Sequence, residues 1–251
     1  MLFAEPERTA YDLNFRLFRF PVRVHPWFWL ATLIFGADLF DPDRPEFLLG
    51  WIAVVFVSIL VHELGHAVAF RAFGVGSHVV LHSFGGIAVP WEHVRGRGQR
   101  IVVSLAGPGA GFVLAAVVWA TNASTHWAAT NLFTLLLYAQ LLFINISWGL
   151  VNLLPVFPLD GGRVSQEVFT HLYGPRGTRV ALQVSVWAAG AVAVYSLLCM
   201  AKFAPLMELL VQAPWWVPRG GLWTLVLFGV LAYQSYQLLQ QLSWTDSHWD
   251  Q

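Results

Sequence analysis

His62, Glu63 and His66 lie as HELGH inside an apolar run from Phe47 to Phe73. That run is long enough to cross a bilayer, whose core of about 30 Å takes roughly 20 residues of helix. On a helix, positions i and i+4 stand on one face, so both imidazoles can reach a single metal ion while Glu63 lies alongside. The pattern is half of a zinc hydrolase site. In soluble helices two histidines four apart are more often a surface or hydrogen-bonded pair, but a metal-binding group in hydrocarbon is costly and marks function.

The rest of the chain agrees with a membrane setting. Of 251 residues, 57% are hydrophobic and 11% charged, against roughly 25% charged in ordinary soluble domains. Formal net charge is zero, and no basic tract is interleaved with aromatics, which argues against a nucleic-acid partner. Cys199, the single cysteine, has no internal disulfide partner and reads as a packing residue. Six candidate spans follow from hydropathy, at 27–40, 47–73, 101–121, 132–154, 180–203 and 221–242. The first is short and holds Asp38. No cleavable leader is expected, the first span serving as the insertion signal. Trp27, Trp29, Trp91, Trp127, Trp215 and Trp216 fall near span ends and read as interfacial anchors.

With the N-terminus inside, eleven arginines (8, 16, 19, 23, 71, 95, 97, 100, 163, 176 and 179) are cytoplasmic and only Arg44, Lys202 and Arg219 lie outside. Basic residues concentrate on the cytoplasmic side, so both termini are placed there. His66 then sits about 7 Å along the helix axis from Arg71, near the inner surface. The segment 14–24 alternates like a strand at the membrane edge. Between the second and third spans, Val79, Val80, Ile87 and Val89 favour extended structure, and Gly85-Gly86 is expected to supply the turn of a hairpin. Such a hairpin is tolerated at membrane depth only beside protein or a water-filled cavity. Loop histidines His78, His82 and His93 read as solvated.

Catalytic zinc usually has three protein ligands and an open position. Apart from Glu63, Asp160 is the only acid near the expected depth of the histidines; it lies in NLLPVFPLDGGR, from Asn152 to Arg163. Pro155 and Pro158 interrupt the helix and Gly161-Gly162 frees the backbone after the acid, so the carboxylate can turn back toward a neighbouring helix, although Asp before Gly-Gly also caps turns. Glu63 is the expected general base, with Asp160, His62 and His66 holding one zinc ion, and Asn152 a candidate for holding the carbonyl or oxyanion. Gly107, Gly109 and Gly111 read as a close helix approach. Asn145 either bonds across helices or lines a substrate path.

At these residues the chain resembles the site-2 protease family of intramembrane zinc metalloproteases. HELGH is similar to that family's HExxH helix, NLLPVFPLDGGR to its second signature, SFGG at Ser83–Gly86 to the glycine turn of its re-entrant hairpin, and SLAGPGAGF at Ser104–Phe112 to the small-residue run that follows. The likeness covers roughly residues 15 to 165. It implies an endopeptidase that cuts the membrane segment of a substrate protein, in a compact form without recognisable PDZ or CBS modules, in a bacterial or archaeal cytoplasmic membrane.

The expectation is thus an all-α polytopic membrane protein of about six helices with a small re-entrant β-hairpin. It forms a single membrane domain: an edge segment 1–25, a catalytic core 26–179, and two spans 180–251 that could gate it. The partners expected are the lipid bilayer and a transmembrane substrate that pairs with the hairpin at Gly85-Gly86, with Asn145 nearby; oligomeric state is left open. Two rivals stand beside it, a zinc hydrolase of lipid or small amides and a non-catalytic membrane chaperone.

Overall fold

A computed structural model describes residues 5–83, 85–214, 217–218 and 220–249, with the backbone alone for 243–249. Phe84 of the hairpin, the anchors Trp215 and Trp216, and Arg219 lie outside the described residues. The chain forms two compact units, Met1–Leu150 and Val151–Gln251.

The first unit opens with strands β1 (Leu13–Leu17) and β2 (Phe20–Val24), followed by the short helix α1 (Pro26–Phe35) and the long helix α2 (Glu46–Ala72). Strands β3 (Ser77–His82) and β4 (Gly85–Pro90) lead into α3 (Arg97–Thr125). Helix α4 (Leu132–Phe143) continues through a π-helical turn, Ile144–Trp148, into α5 (Gly149–Asn152). The second unit contains α6 (Asp160–Tyr173), α7 (Gly177–Met200), α8 (Ala204–Gln212) and α9 (Leu222–Trp249). Among the described residues, five stretches are long and apolar enough to cross a membrane: Glu46–Ala72, Arg97–Thr125, Leu132–Asn152, Asp160–Met200 and Leu222–Leu242. The first expected span yields the ten-residue α1. It ends at Gly36, whose N–H bonds Thr32 and where any Cβ would strike the Trp51 ring.

The four strands form one sheet in the order β1-β2-β3-β4, with β2 and β3 parallel and the outer pairs antiparallel. The segment expected as one strand at 14–24 is therefore a hairpin. It turns at Phe18, a non-glycine residue at φ 53°, which is why no glycine marks the turn. In the second hairpin His82 pairs with Gly85 and Leu81 with Gly86, so Gly85-Gly86 open β4 instead of forming the turn.

One face of the sheet packs on α2. Val22, Val24, Val79 and Leu81 join Phe28 of α1 and Val55, Leu60 and Ala67 of α2 in a closed core. That core reaches the histidine motif itself, with Ala67 next to His66 and Leu64 packed against the cluster, and fixes the sheet beside it. Across the outer face runs the N-terminal segment. Arg23, only 6% exposed, donates to the Glu5 carboxylate at 2.8 Å, to the Asp12 carboxylate at 3.0 Å and to the Pro6 carbonyl at 2.9 Å. Helix α2 is oriented favourably at both ends, with Glu46 in its first turn and Arg71 in its last.

Candidate metal centre

His62, Glu63 and His66 lie within one turn of α2 and are all under 10% exposed. One ligand-capable atom from each lies within 4.8 Å of the others. The two imidazole Nε2 atoms are 3.2 Å apart. Two nitrogens bound tetrahedrally to one zinc at roughly 2.05 Å stand about 3.4 Å apart, so the pair is already spaced for a shared ion.

Neighbouring elements hold that spacing. His66 donates from Nδ1 to the Val103 carbonyl of α3 at 2.7 Å. This bond fixes the ring's tautomer and leaves Nε2 as the lone-pair nitrogen facing His62, the kind of hydrogen bond that orients metal-binding histidines. Helix α3 reaches α2 because both are bare at the crossing. A Cβ on Gly65, the glycine of HELGH, would run into the Ala106 carbonyl, and a Cβ on Gly107 would strike His66 Nε2 and come within 2.8 Å of His62 Nε2. Gly107 therefore leaves open the space that a cation between the two nitrogens needs. Close helix approach, the role expected of Gly107, Gly109 and Gly111, thus holds at Gly107 with the histidines themselves as neighbours, whereas Gly109 faces nothing within 4 Å.

The glutamate is positioned from the other side. A Cβ at Gly86 of β4 would overlap the Glu63 side chain, its carboxylate oxygen at 2.9 Å. Gly85 precedes it at φ +137°, a conformation that side-chain-bearing residues rarely adopt. The hairpin backbone therefore lies directly against the carboxylate. Asn145 sits in the π-turn, 4% exposed; its Nδ2 donates to Ser58 Oγ at 2.9 Å and to the Leu141 carbonyl at 2.8 Å. Ser58 is one helical turn before His62, so Asn145 ties α4 to the ligand face of α2.

Asn152 and Asp160 belong to the second unit. Asn152 ends α5 at 8% exposure and Asp160 opens α6 at 6%. The glycines after the acid are required by contact: a Cβ on Gly161 would meet the Leu153 and Leu154 carbonyls, and one on Gly162 the backbone of Val156 and Phe157. They let the proline-rich segment fold back over the start of α6.

The hairpin histidines differ from the solvated reading. His78 contacts the Glu5 carboxylate at 3.2 Å and accepts from Trp91 Nε1 at 3.4 Å. His82 is 4% exposed, and its Nε2 has no hydrogen-bond partner among the described residues. Burial, then the neighbouring His25 and Arg23, lower its pKa. His93 alone of the three is exposed. Two contributions escaped the sequence: the Val103 carbonyl, because a backbone acceptor has no residue signature, and the contact of Gly107 with the histidines, because they are on another helix.

The structure is mostly helical with a small sheet, an integral membrane protein whose spanning helix carries a buried two-histidine, one-glutamate cluster. Residues 122–194 match the model of peptidase family M50. The zinc metalloprotease MJ0392 of Methanocaldococcus jannaschii is 26% identical over 200 residues, covering 78% of this chain and 57% of that protein. The putative zinc metalloprotease Rip3 of Mycobacterium tuberculosis is 30% identical over 174 residues, covering 68% and 44%. The chain therefore spans about half the length of these curated relatives. The fold is similar to that of the site-2 protease from Methanocaldococcus jannaschii, with a TM-score of 0.52, 20% identity, and coverage of 90% of this chain and 94% of that one. The chain belongs to the site-2 protease family of zinc metalloproteases, peptidase family M50.

Proposed function

We propose that this chain is an intramembrane zinc endopeptidase that hydrolyses peptide bonds within or near the transmembrane segments of membrane-protein substrates, as in regulated intramembrane proteolysis. The observation that carries the reading is the pair of Nε2 atoms 3.2 Å apart, with Glu63 beside them, on a helix apolar enough to span a bilayer. The names of its relatives support zinc as the ion.

His62 and His66 would hold one zinc ion, with Asp160 completing the set. Its placement in the segment 122–194 that matches the family model, and its burial at the start of α6, favour this role. Bound zinc lowers the pKa of a water to about 7 and polarises a carbonyl. Glu63 takes the proton of the attacking water and returns it to the leaving amine. Asn152 donates its amide to the substrate carbonyl as negative charge develops there. The Val103 carbonyl keeps the His66 ring from rotating while charge moves around it.

A substrate helix has its peptide bonds hydrogen-bonded and shielded, so it must be unwound first. Among the described residues β4 is an edge strand of the sheet, paired with β3 alone, and it lies against Glu63 through Gly86. An unwound substrate pairs with that edge and presents its backbone to the carboxylate. Asn145 borders the same path. The chain acts as one membrane domain of six crossings, with α1 extended by the Ala37–Leu39 turn as the first and the hairpin re-entering from the cytoplasmic side. Both termini face the cytoplasm, and the last two spans gate access.

The test is a Glu63→Gln variant of the full chain in detergent, compared with the parent on a panel of transmembrane peptides and read by mass spectrometry. The parent is expected to make defined internal cuts. The variant should retain zinc and lose cleavage by at least about a hundredfold, the scale of a general base. Equal cleavage by the two proteins would overturn the mechanism, and turnover of lipid or small amides alone would move the activity to another substrate class.

A further inference from the structure

The proline-rich segment before Asp160 has an unusual hydrogen-bond problem, and the answer lies in the last two spans. Pro155 and Pro158 donate nothing. Within the segment, Val156 N–H bonds the Leu154 carbonyl at 2.7 Å and Leu159 N–H bonds the Val156 carbonyl at 2.8 Å. Phe157 looks outward. Its N–H donates to Ser185 Oγ of α7 at 2.8 Å, its carbonyl accepts from Ser235 Oγ of α9 at 3.5 Å, and the two hydroxyls are 2.8 Å apart.

The proton directions follow by elimination. An amide N–H can only donate, so Ser185 accepts from Phe157. A carbonyl can only accept, so Ser235 donates to it. Ser185 must then donate to Ser235. Each hydroxyl gives one proton and takes one, closing a ring through one peptide residue. Ser185 is 1% exposed and Ser235 0%, so water does not compete for these bonds.

We propose that Ser185 and Ser235 are positioning residues for the Asp160 carboxylate: the helix pair α7 and α9 grips Phe157, three residues before the acid, and sets where α6 begins. Gly161 and Gly162 press the same segment onto α6 from its other side, so the acid is fixed between a hydroxyl clamp and a glycine contact. The C-terminal spans thus act on the metal set through Phe157. This rests on the reading of Asp160 as a zinc ligand.

The test measures the affinity of the full chain in detergent for zinc alone, by competition with a chelator, together with amide hydrogen exchange at Phe157 in metal-free protein. Ser185→Ala is expected to weaken zinc binding about tenfold, the lower end for residues that orient metal ligands, and to speed exchange at Phe157. Ser185→Thr, which keeps the hydroxyl, should restore both. In an Asp160→Ala background, Ser185→Ala should change zinc affinity no further. If Ser185→Ala fails to fold, Ser235→Ala, which keeps the 2.8 Å bond, is expected to show the same pattern at about threefold. The clamp is overturned if Asp160→Ala weakens zinc but the serine variants bind it as the parent does, or if they weaken it equally without Asp160. Parental affinity in Asp160→Ala removes the ligand reading, and the clamp's role with it.

Discussion

Gly107 shows how much of this centre is decided by an atom that is missing. The space below the two imidazoles is only as large as one absent Cβ, and packed interiors yield little to an added methyl. Gly107→Ala puts that carbon against His66 Nε2 and within 2.8 Å of His62 Nε2, so the rings must part. Zinc content of the purified variant is expected to fall below about a tenth of the parent's, with the helices intact by circular dichroism, since alanine favours a helix over glycine by about 1 kcal/mol. Parental zinc content would show that the rings do not use the glycine's space. The sequence places HELGH on a membrane helix and singles out the acid of LDGG, because a spacing of four and a lone carboxylate are visible in one dimension. What Gly107 faces is visible only once α3 lies on α2.

At the scale of elements, the N-terminal strap and the sheet carry a pH dependence. Burial alone would raise the Asp12 carboxyl, but hydrogen bonds from the Thr9 hydroxyl, the Arg23 guanidinium and the Thr9 amide, with the Arg23 charge, hold it at about 2. Its value in an unfolded chain is about 3.9. A carboxyl lowered by folding contributes stability that is complete above the unfolded value and is lost as pH falls through the folded one. Limited acid proteolysis should therefore leave residues 5–12 protected above pH of about 4 and release them as pH falls toward 2. Asp12→Asn should make that segment cleavable already at neutral pH; protection unchanged by the substitution would remove Asp12 from the strap's control. The sequence conveyed less here. Strands β1 and β2 are five residues each, Pro21 sits inside the second, and Phe18 makes the turn without glycine. Their pairing comes from the Arg23 cluster and from the core against α2, both of them contacts between residues distant in sequence. The long helices α2, α3 and α9, by contrast, stand close to where hydropathy places them, because a run of apolar residues is a local property.

For the molecule as a whole, the zinc reading makes stability depend on the ion. A ligand bound only by the folded state adds about 2.7 kcal/mol when present at a hundred times its dissociation constant, and about 2–4 °C of unfolding temperature accompanies each kcal/mol in chains of this size. Chelation is expected to lower the unfolding temperature in detergent by about 5–10 °C, and added zinc to restore it; an unfolding temperature indifferent to chelator and zinc alike would argue against a resident ion. The parallel pairing of β2 with β3 has a further consequence. Val24 lies opposite Leu81, and the His25 N–H bonds the Leu81 carbonyl at 2.9 Å, so all of α1 and α2 is enclosed within a loop whose ends are stitched together by main-chain bonds. During synthesis that stitch waits until Leu81 has been made, by which time both enclosed helices are complete in the chain. The helix that carries the histidine pair is therefore complete before the two halves of the β-layer can join, because β1 and β2 precede it in the chain and β3 and β4 follow it.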